Sequence, residues 1–171
     1  MRLIGLSGWS GSGKTTLLTA LIPVLIGRGL TVSTVKHAHH SFEIDKPGKD
    51  SYVHREAGAQ EVLISSERRW ALMRELRDQP EPPLRVLLSR LSPVDLVVVE
   101  GYKREAHPKI EIHRGVVGKP LLHPHDERIV AIASDTPVAG TTVPRVDLND
   151  VEAIADLVER HAVRIDEIGW D

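Results

Sequence analysis

Residues 8–15 read Gly-Trp-Ser-Gly-Ser-Gly-Lys-Thr and fill every fixed position of the pattern GxxxxGK[ST]. The pattern constrains the fold because its mechanism needs a strand before it and a helix after it. Both are legible. Residues 2–7 (Arg-Leu-Ile-Gly-Leu-Ser) form a short, mostly apolar run that ends at glycine, as a buried strand does. From Lys14 onward Leu17, Leu18, Leu21, Ile22 and Leu25 mark one face of a helix. The glycines between let successive backbone N–H groups turn inward around a phosphate, and the helix N-terminus adds its positive dipole end. In such a loop Lys14 reaches the β- and γ-phosphates, the Thr15 hydroxyl ligates Mg²⁺ and Thr16 touches the α-phosphate. A dinucleotide fingerprint does not fit the same glycines. Counted from Gly11 its sixth position is Thr16, and the next strand ends in Lys36-His37, with no carboxylate for a ribose.

Pro23 falls inside the helical pattern, so a kink or a shortened helix is expected there, with Gly27 and Gly29 as a stop. Residues 31–35 alternate and are rich in β-branched side chains, a second strand. The chain therefore opens strand–loop–helix–strand, the start of a parallel α/β sheet. Residues 37–49 have no period and contain Pro47-Gly48, a loop; residues 49–57 fit a short helix capped by Asp50 or Ser51. Residues 61–65 read as a third strand, whereas residues 70–76 fit a helix or a strand equally well. Residues 78–83, with three prolines, connect to a helix over 84–91. Residues 96–99 form a core strand, 109–113 an edge strand, 129–133 a buried strand, and 148–163 a closing helix begun by Asn149 or Asp150. The fold class expected is α/β: a mostly parallel, doubly wound sheet with helices on both faces, of the P-loop NTPase type. At 171 residues it fits one domain, 1–171.

In such a sheet the ligand sits at the carboxyl ends of the strands. Leu96-Val97-Val98-Val99 delivers Glu100 to that edge, a carboxylate placed to bind Mg²⁺ directly or through water. Asp95 begins the same run and lies at the other end, as a solvated turn residue. The stretch Asp45-Lys46-Pro47-Gly48-Lys49-Asp50-Ser51 reads either as a switch loop or as a polar surface turn. In a switch loop Asp45 or Asp50 would position a Mg²⁺-bound or attacking water, and Lys46 and Lys49 would contact phosphate. Asp135, after the strand at 129–133, reads either as an acceptor for the N1 and N2 hydrogens of guanine or as a cap or turn residue. His37-Ala38-His39-His40 follows the second strand and fits a phosphate- or partner-contacting loop better than a metal site. Trp9, inside the phosphate loop, is expected to face ligand or partner, and Trp70 to lie in the core.

Composition removes other classes. There are no cysteines, which excludes disulfides, thiolate metal sites and a cysteine nucleophile. The net charge of −2 argues against a nucleic-acid partner, and no apolar run approaches the ~18 residues of a membrane span. Residues 1–60 nevertheless carry seven basic and four acidic side chains, which suits a phosphate ligand. A cytoplasmic location is expected.

These segments resemble the molybdopterin-guanine dinucleotide biosynthesis protein B (MobB) family. The resemblance is carried by residues 9–16, Lys36 to His40, Asp45 to Ser51, Arg69-Trp70-Ala71-Leu72, Val99-Glu100-Gly101-Tyr102-Lys103 and Ala133-Ser134-Asp135. It implies a GTP-binding, Mg²⁺-dependent, weakly hydrolysing adapter, usually a homodimer. Its implied partners are molybdopterin and the molybdenum cofactor guanylyltransferase that joins GMP to it. By motif match Gly11, Ser12, Gly13, Lys14, Thr15 and Thr16 are its implied phosphate contacts and Glu100 its Mg²⁺ ligand. The resemblance assigns no role to residues 104–128. Hydrolysis would rest on Lys14 and on Asp45 or a loop neighbour. Two other functions fit parts of the chain. A small-molecule kinase would use Arg68, Arg69, Arg74 and Arg77 as a lid, and a metal-insertion GTPase would use His37, His39 and His40, though without any cysteine.

Overall fold

The apolar run at the N-terminus becomes β1 (Arg2–Ser7), and the helical pattern becomes α1 (Lys14–Gly27), followed by β2 (Val32–Lys36). Next come α2 (Asp50–Glu56), β3 (Glu61–Ser65) and β4 (Trp70–Arg74), then α3 (Leu84–Leu88), β5 (Leu96–Glu100) and β6 (Lys109–His113). The chain closes with β7 (Ile129–Ser134), β8 (Arg145–Asp147), α4 (Val151–His161) and β9 (Val163–Arg164). This is a computed structural model; it describes residues 1–38 and 42–170, so His39 and His40 lie outside the described residues. It divides into two compact units, Met1–His37 with Leu84–Asp171, and Ala38–Pro83.

The larger unit holds a seven-stranded sheet in the order β2-β5-β1-β6-β7-β8, parallel throughout, with β9 added antiparallel to the first residues of β1. Strand alternation sends Leu3, Val97 and Val99 to one face, against Leu84 and Leu88 of α3. Ile4, Leu6 and Val98 go to the other, against Leu17, Leu21 and Leu25 of α1 and Ile154 and Val158 of α4. Helices thus cover both faces, as the βαβ order requires. Each of these fully buried aliphatic side chains contributes about 1.5–3 kcal/mol of transfer free energy. Arg28, just past α1, holds α4 through Glu152 (2.5 Å), Asp156 (2.8 Å) and Glu159 (2.7 Å), carboxylates spaced along one helix face.

Three expectations are corrected here. β6 is not an edge strand: it lies between β1 and β7, and its alternating polar residues are buried inside the sheet. Their polar groups are satisfied there. Lys109 donates to the Glu105 carbonyl (2.8 Å) and to Asp126 (3.3 Å), while the Glu111 carboxylate accepts from the Leu122 and His123 amides at 2.7 and 2.8 Å. α1 is not shortened at Pro23: it runs on to Gly27, with Pro23 facing solvent. Asp95, though exposed, does more than turn the chain: its carboxylate accepts from the Thr31 amide (2.9 Å) and hydroxyl (2.6 Å), tying the start of β5 to that of β2. Those bonds hold its pKa below the usual carboxylate value.

The smaller unit is α2 and an antiparallel hairpin. Residues 70–74 are a strand, paired Leu63 to Leu72 and Ser65 to Trp70 with β3. Neither Asp50 nor Ser51 caps α2. Lys49 occupies the cap, and Asp50 is the first helical residue, where its carboxylate meets the positive end of the dipole. Trp70 is not core: it is 65% exposed, because a two-stranded ribbon has no second layer within this unit to cover its outer face.

Candidate phosphate-binding site

The glycines of the loop take backbone conformations that only glycine adopts readily: Gly11 and Gly13 have φ of 81° and 91°. A Cβ on Gly8 would come within 2.5 Å of the Ile112 carbonyl oxygen, so the loop can leave β1 beside β6 only without a side chain there. Gly13 also begins α1, with no side-chain cap. The first N–H groups of the helix therefore remain without intrahelical acceptors, directed at whatever lies ahead of the helix. The hydroxyls of Ser7, at the end of β1, and of Ser12, in the loop, are buried and have no hydrogen-bond partner among the described residues.

Side chains from neighbouring strands converge on it. β1 and β5 pair with Leu6 opposite Glu100, so the loop departs at the level of that carboxylate. Thr15 Oγ1 stands 3.1 and 3.3 Å from Glu100 Oε1 and Oε2. Lys36, opposite Glu100 in the β2–β5 register, brings its ammonium to 3.7 Å from the carboxylate and 3.5 Å from the Thr15 hydroxyl. Lys14 Nζ donates to the Gly8 and Trp9 carbonyls, both at 3.0 Å, and so spans the loop mouth. Burial, reinforced by the charges of Lys103 and Lys36, lowers its pKa against the opposing pull of Glu100. The pair of Thr15 hydroxyl and Glu100 carboxylate, hard oxygen donors with no sulfur or imidazole between them, fits Mg²⁺.

Trp9 is half-buried at the rim. Its indole N–H donates to the Pro120 carbonyl (2.7 Å), and the Lys103 ammonium sits 4.9 Å from the ring centroid. The Asp135 carboxylate accepts from the Gly115 amide (2.8 Å) and faces Arg114 at 3.5 Å. Asp45 belongs to the smaller unit, where its buried carboxylate accepts from Arg55 at 3.3 and 3.4 Å. The arginines considered for a lid lie on the hairpin and after it, not on a helix. Arg74 pairs with Glu61, and Arg77 donates to the Arg55 and Ala59 carbonyls. Among the described residues no three His, Asp or Glu side chains gather to hold a metal ion. His37 is described, and its ring lies 4.8 Å from that of Tyr102.

Sequence reasoning missed Lys36, Lys103 and Arg114. Lys36 was within reach of it: pairing the strand at 31–35 with the strand at 96–99 in parallel puts Lys36 beside Glu100. Arg114 was hidden by the assignment of its strand to the sheet edge.

The family model for "Molybdopterin guanine dinucleotide synthesis protein B" (MobB) matches residues 3–135, from the first strand to Asp135. The chain belongs to this family. It is 46% identical over 159 residues to the "Molybdopterin-guanine dinucleotide biosynthesis adapter protein" of Escherichia coli K12, covering 91% of this chain and 90% of that one. It is 44% identical to the protein of that name from Haemophilus influenzae, over 92% and 87% of the two chains. Among solved structures, one titled as the crystal structure of molybdopterin-guanine biosynthesis protein B aligns with a TM-score of 0.73 at 29% identity, covering 92% of this chain and 98% of that one. Bacillus subtilis MobB aligns with a TM-score of 0.72 over 95% of this chain and 98% of that one, at 22% identity, a likeness of fold. The MobB match ends at Asp135, so it takes in the phosphate loop, Glu100 and the Arg114 region alike.

Proposed function

We propose that this chain is an adapter of molybdopterin guanine dinucleotide biosynthesis that binds GTP with Mg²⁺ and hydrolyses it weakly. The adapter role is supported by membership of the MobB family and by the names of relatives at 46 and 44% identity. The nucleotide is supported by one arrangement above all: left-handed glycines opening a helix, with Thr15 bonded to the carboxylate at the end of the adjacent strand.

In this reading the backbone of Gly11, Ser12 and Gly13 and the amides of Lys14, Thr15 and Thr16 cradle the phosphates. The Lys14 ammonium exchanges its two loop carbonyls for phosphate oxygens, which are charged and so stronger acceptors. Thr15 and Glu100 hold Mg²⁺, which when bound neutralises charge on the phosphates. Asp135 reads guanine, accepting its N1 and N2 hydrogens. Asp45 is the carboxylate assigned to orient the attacking water, on its position in the sequence alone.

The partners in this account are the guanylyltransferase that joins GMP to molybdopterin, molybdopterin itself, and a second copy of the chain, all in the cytoplasm. Self-association is supported by the outer face of the hairpin, where Leu63, Trp70 and Leu72 lie side by side and exposed. No described helix is long and apolar enough to cross a membrane.

Calorimetric titration with GTP and with ATP, each with Mg²⁺, tests the nucleotide reading. Wild-type protein should bind GTP in preference, and Lys14→Ala should lose at least a hundredfold in affinity, about 2.7 kcal/mol. Unchanged GTP affinity in the variant, or ATP preferred together with transfer of its phosphate to an acceptor, would overturn it.

A further inference from the structure

The loops that follow β1, β6 and β7 are tied together by one side chain, Arg114. Those three strands are neighbours in the sheet, so the loops emerge side by side at its carboxyl edge. Arg114 Nε donates to the Ser12 carbonyl at 3.4 Å, and Nη2 would lie 3.1 Å from a Cβ on Gly13, so the guanidinium lies across the backbone of the phosphate loop. Its Nη1 stands 3.5 Å from Asp135 Oδ2, while the other oxygen of that carboxylate accepts from the Gly115 amide at 2.8 Å. Gly115 is itself built into the contact, because a Cβ there would meet Thr136 Cγ2 at 2.5 Å. The segment beyond is pinned from beneath by the buried Glu111 carboxylate, which accepts the Leu122 and His123 amides.

We propose that Arg114 is a specificity-determining residue: it fixes the Asp135 carboxylate at a set distance from the phosphate loop, so that a base is read only while the phosphates are gripped. The proposal rests on the reading of Asp135 as the guanine acceptor. Its physical basis is that a carboxylate discriminates guanine only if its oxygens are held in place before the base arrives. A free aspartate would spend binding energy on ordering itself. One planar cation that reaches both loops at once supplies that order, and its fork geometry is what a flexible ammonium lacks. Arg114 acts through Asp135 and Ser12, and is a positioning residue.

The test compares Arg114→Met, which keeps the aliphatic stem and loses every donor, with Arg114→Lys and Asp135→Asn. Affinities for GTP, ATP and inorganic triphosphate are measured with Mg²⁺ on full-length protein, beside thermal unfolding. Arg114→Met should lower the GTP-over-ATP preference about tenfold, with triphosphate affinity within twofold of wild type and the unfolding midpoint nearly unchanged. Arg114→Lys should restore only part of the preference. A preference intact in Arg114→Met but lost in Asp135→Asn would overturn the proposal and leave the base reading standing. A preference intact in Asp135→Asn would overturn the base reading itself. Equal loss of all three ligands in Arg114→Met would show a role in the phosphate loop alone and would also overturn the proposal.

Discussion

His107 shows how far single residues escape a reading of sequence. It is wholly buried beside β1, so close that a Cβ on Gly5 would come within 2.5 Å of its Nε2, and neither ring nitrogen has a hydrogen-bond partner among the described residues. Burial, with Lys109 nearby, pushes its pKa down to about 3. The unfolded chain, with an ordinary imidazole, binds the proton more readily between about pH 3 and 6.5, so stability falls as pH drops through that window. The slope is up to about 1.4 kcal/mol per pH unit. Urea unfolding at pH 7 and pH 5 should show wild type losing more stability than His107→Leu; equal losses would contradict this. Nothing in the sequence singled out His107, whereas the placement of Lys14, Thr15 and Glu100 together was legible because it depends on spacing from a glycine loop and from the end of an apolar run. Arg114 and Lys103 were not legible, since they reach the site from loops after strands whose neighbours only the folded sheet defines. Lys36 was legible only through the parallel pairing of its strand with the one that ends in Glu100.

At the scale of elements, the strands that carry the site were the most legible. Four consecutive apolar residues from Leu96 can only be a core strand, and both faces of β5 are indeed buried. β6 misled because Lys109 and Glu111 alternate with isoleucines as they would on an edge. Its burial depends on partners 11 to 17 residues further on, Leu122, His123 and Asp126, which local pattern cannot reveal. α1 misled in the opposite sense: Pro23 removes one intrahelical bond, yet the apolar face from Leu17 to Leu25 packs well enough to carry the helix through. Pro23→Ala should therefore raise stability by about 1–3 kcal/mol, the interior proline penalty less the entropy regained by the unfolded chain. An unchanged or lower denaturation midpoint would show that the helix is fitted to its proline.

For the whole molecule, length and the order strand–loop–helix–strand pointed to the α/β class, and the sheet of the larger unit follows it. The separate unit at Ala38–Pro83 was not legible as such, because its hairpin spends its hydrophobic residues on an outer face instead of on a core of its own. If that face is where two copies meet, sedimentation should find wild type dimeric and the double variant Trp70→Ser, Leu72→Ser shifted towards monomer with its nucleotide affinity retained. A dimer untouched by both changes would place the contact elsewhere. The central claim is that main-chain amides opening α1 hold the phosphates of GTP. Amide-resolved NMR during titration with GTP and Mg²⁺ tests it most directly. The account expects the largest shifts at Gly11, Ser12, Gly13, Lys14, Thr15 and Thr16. Saturable binding that leaves those six amides unmoved while others shift would contradict it.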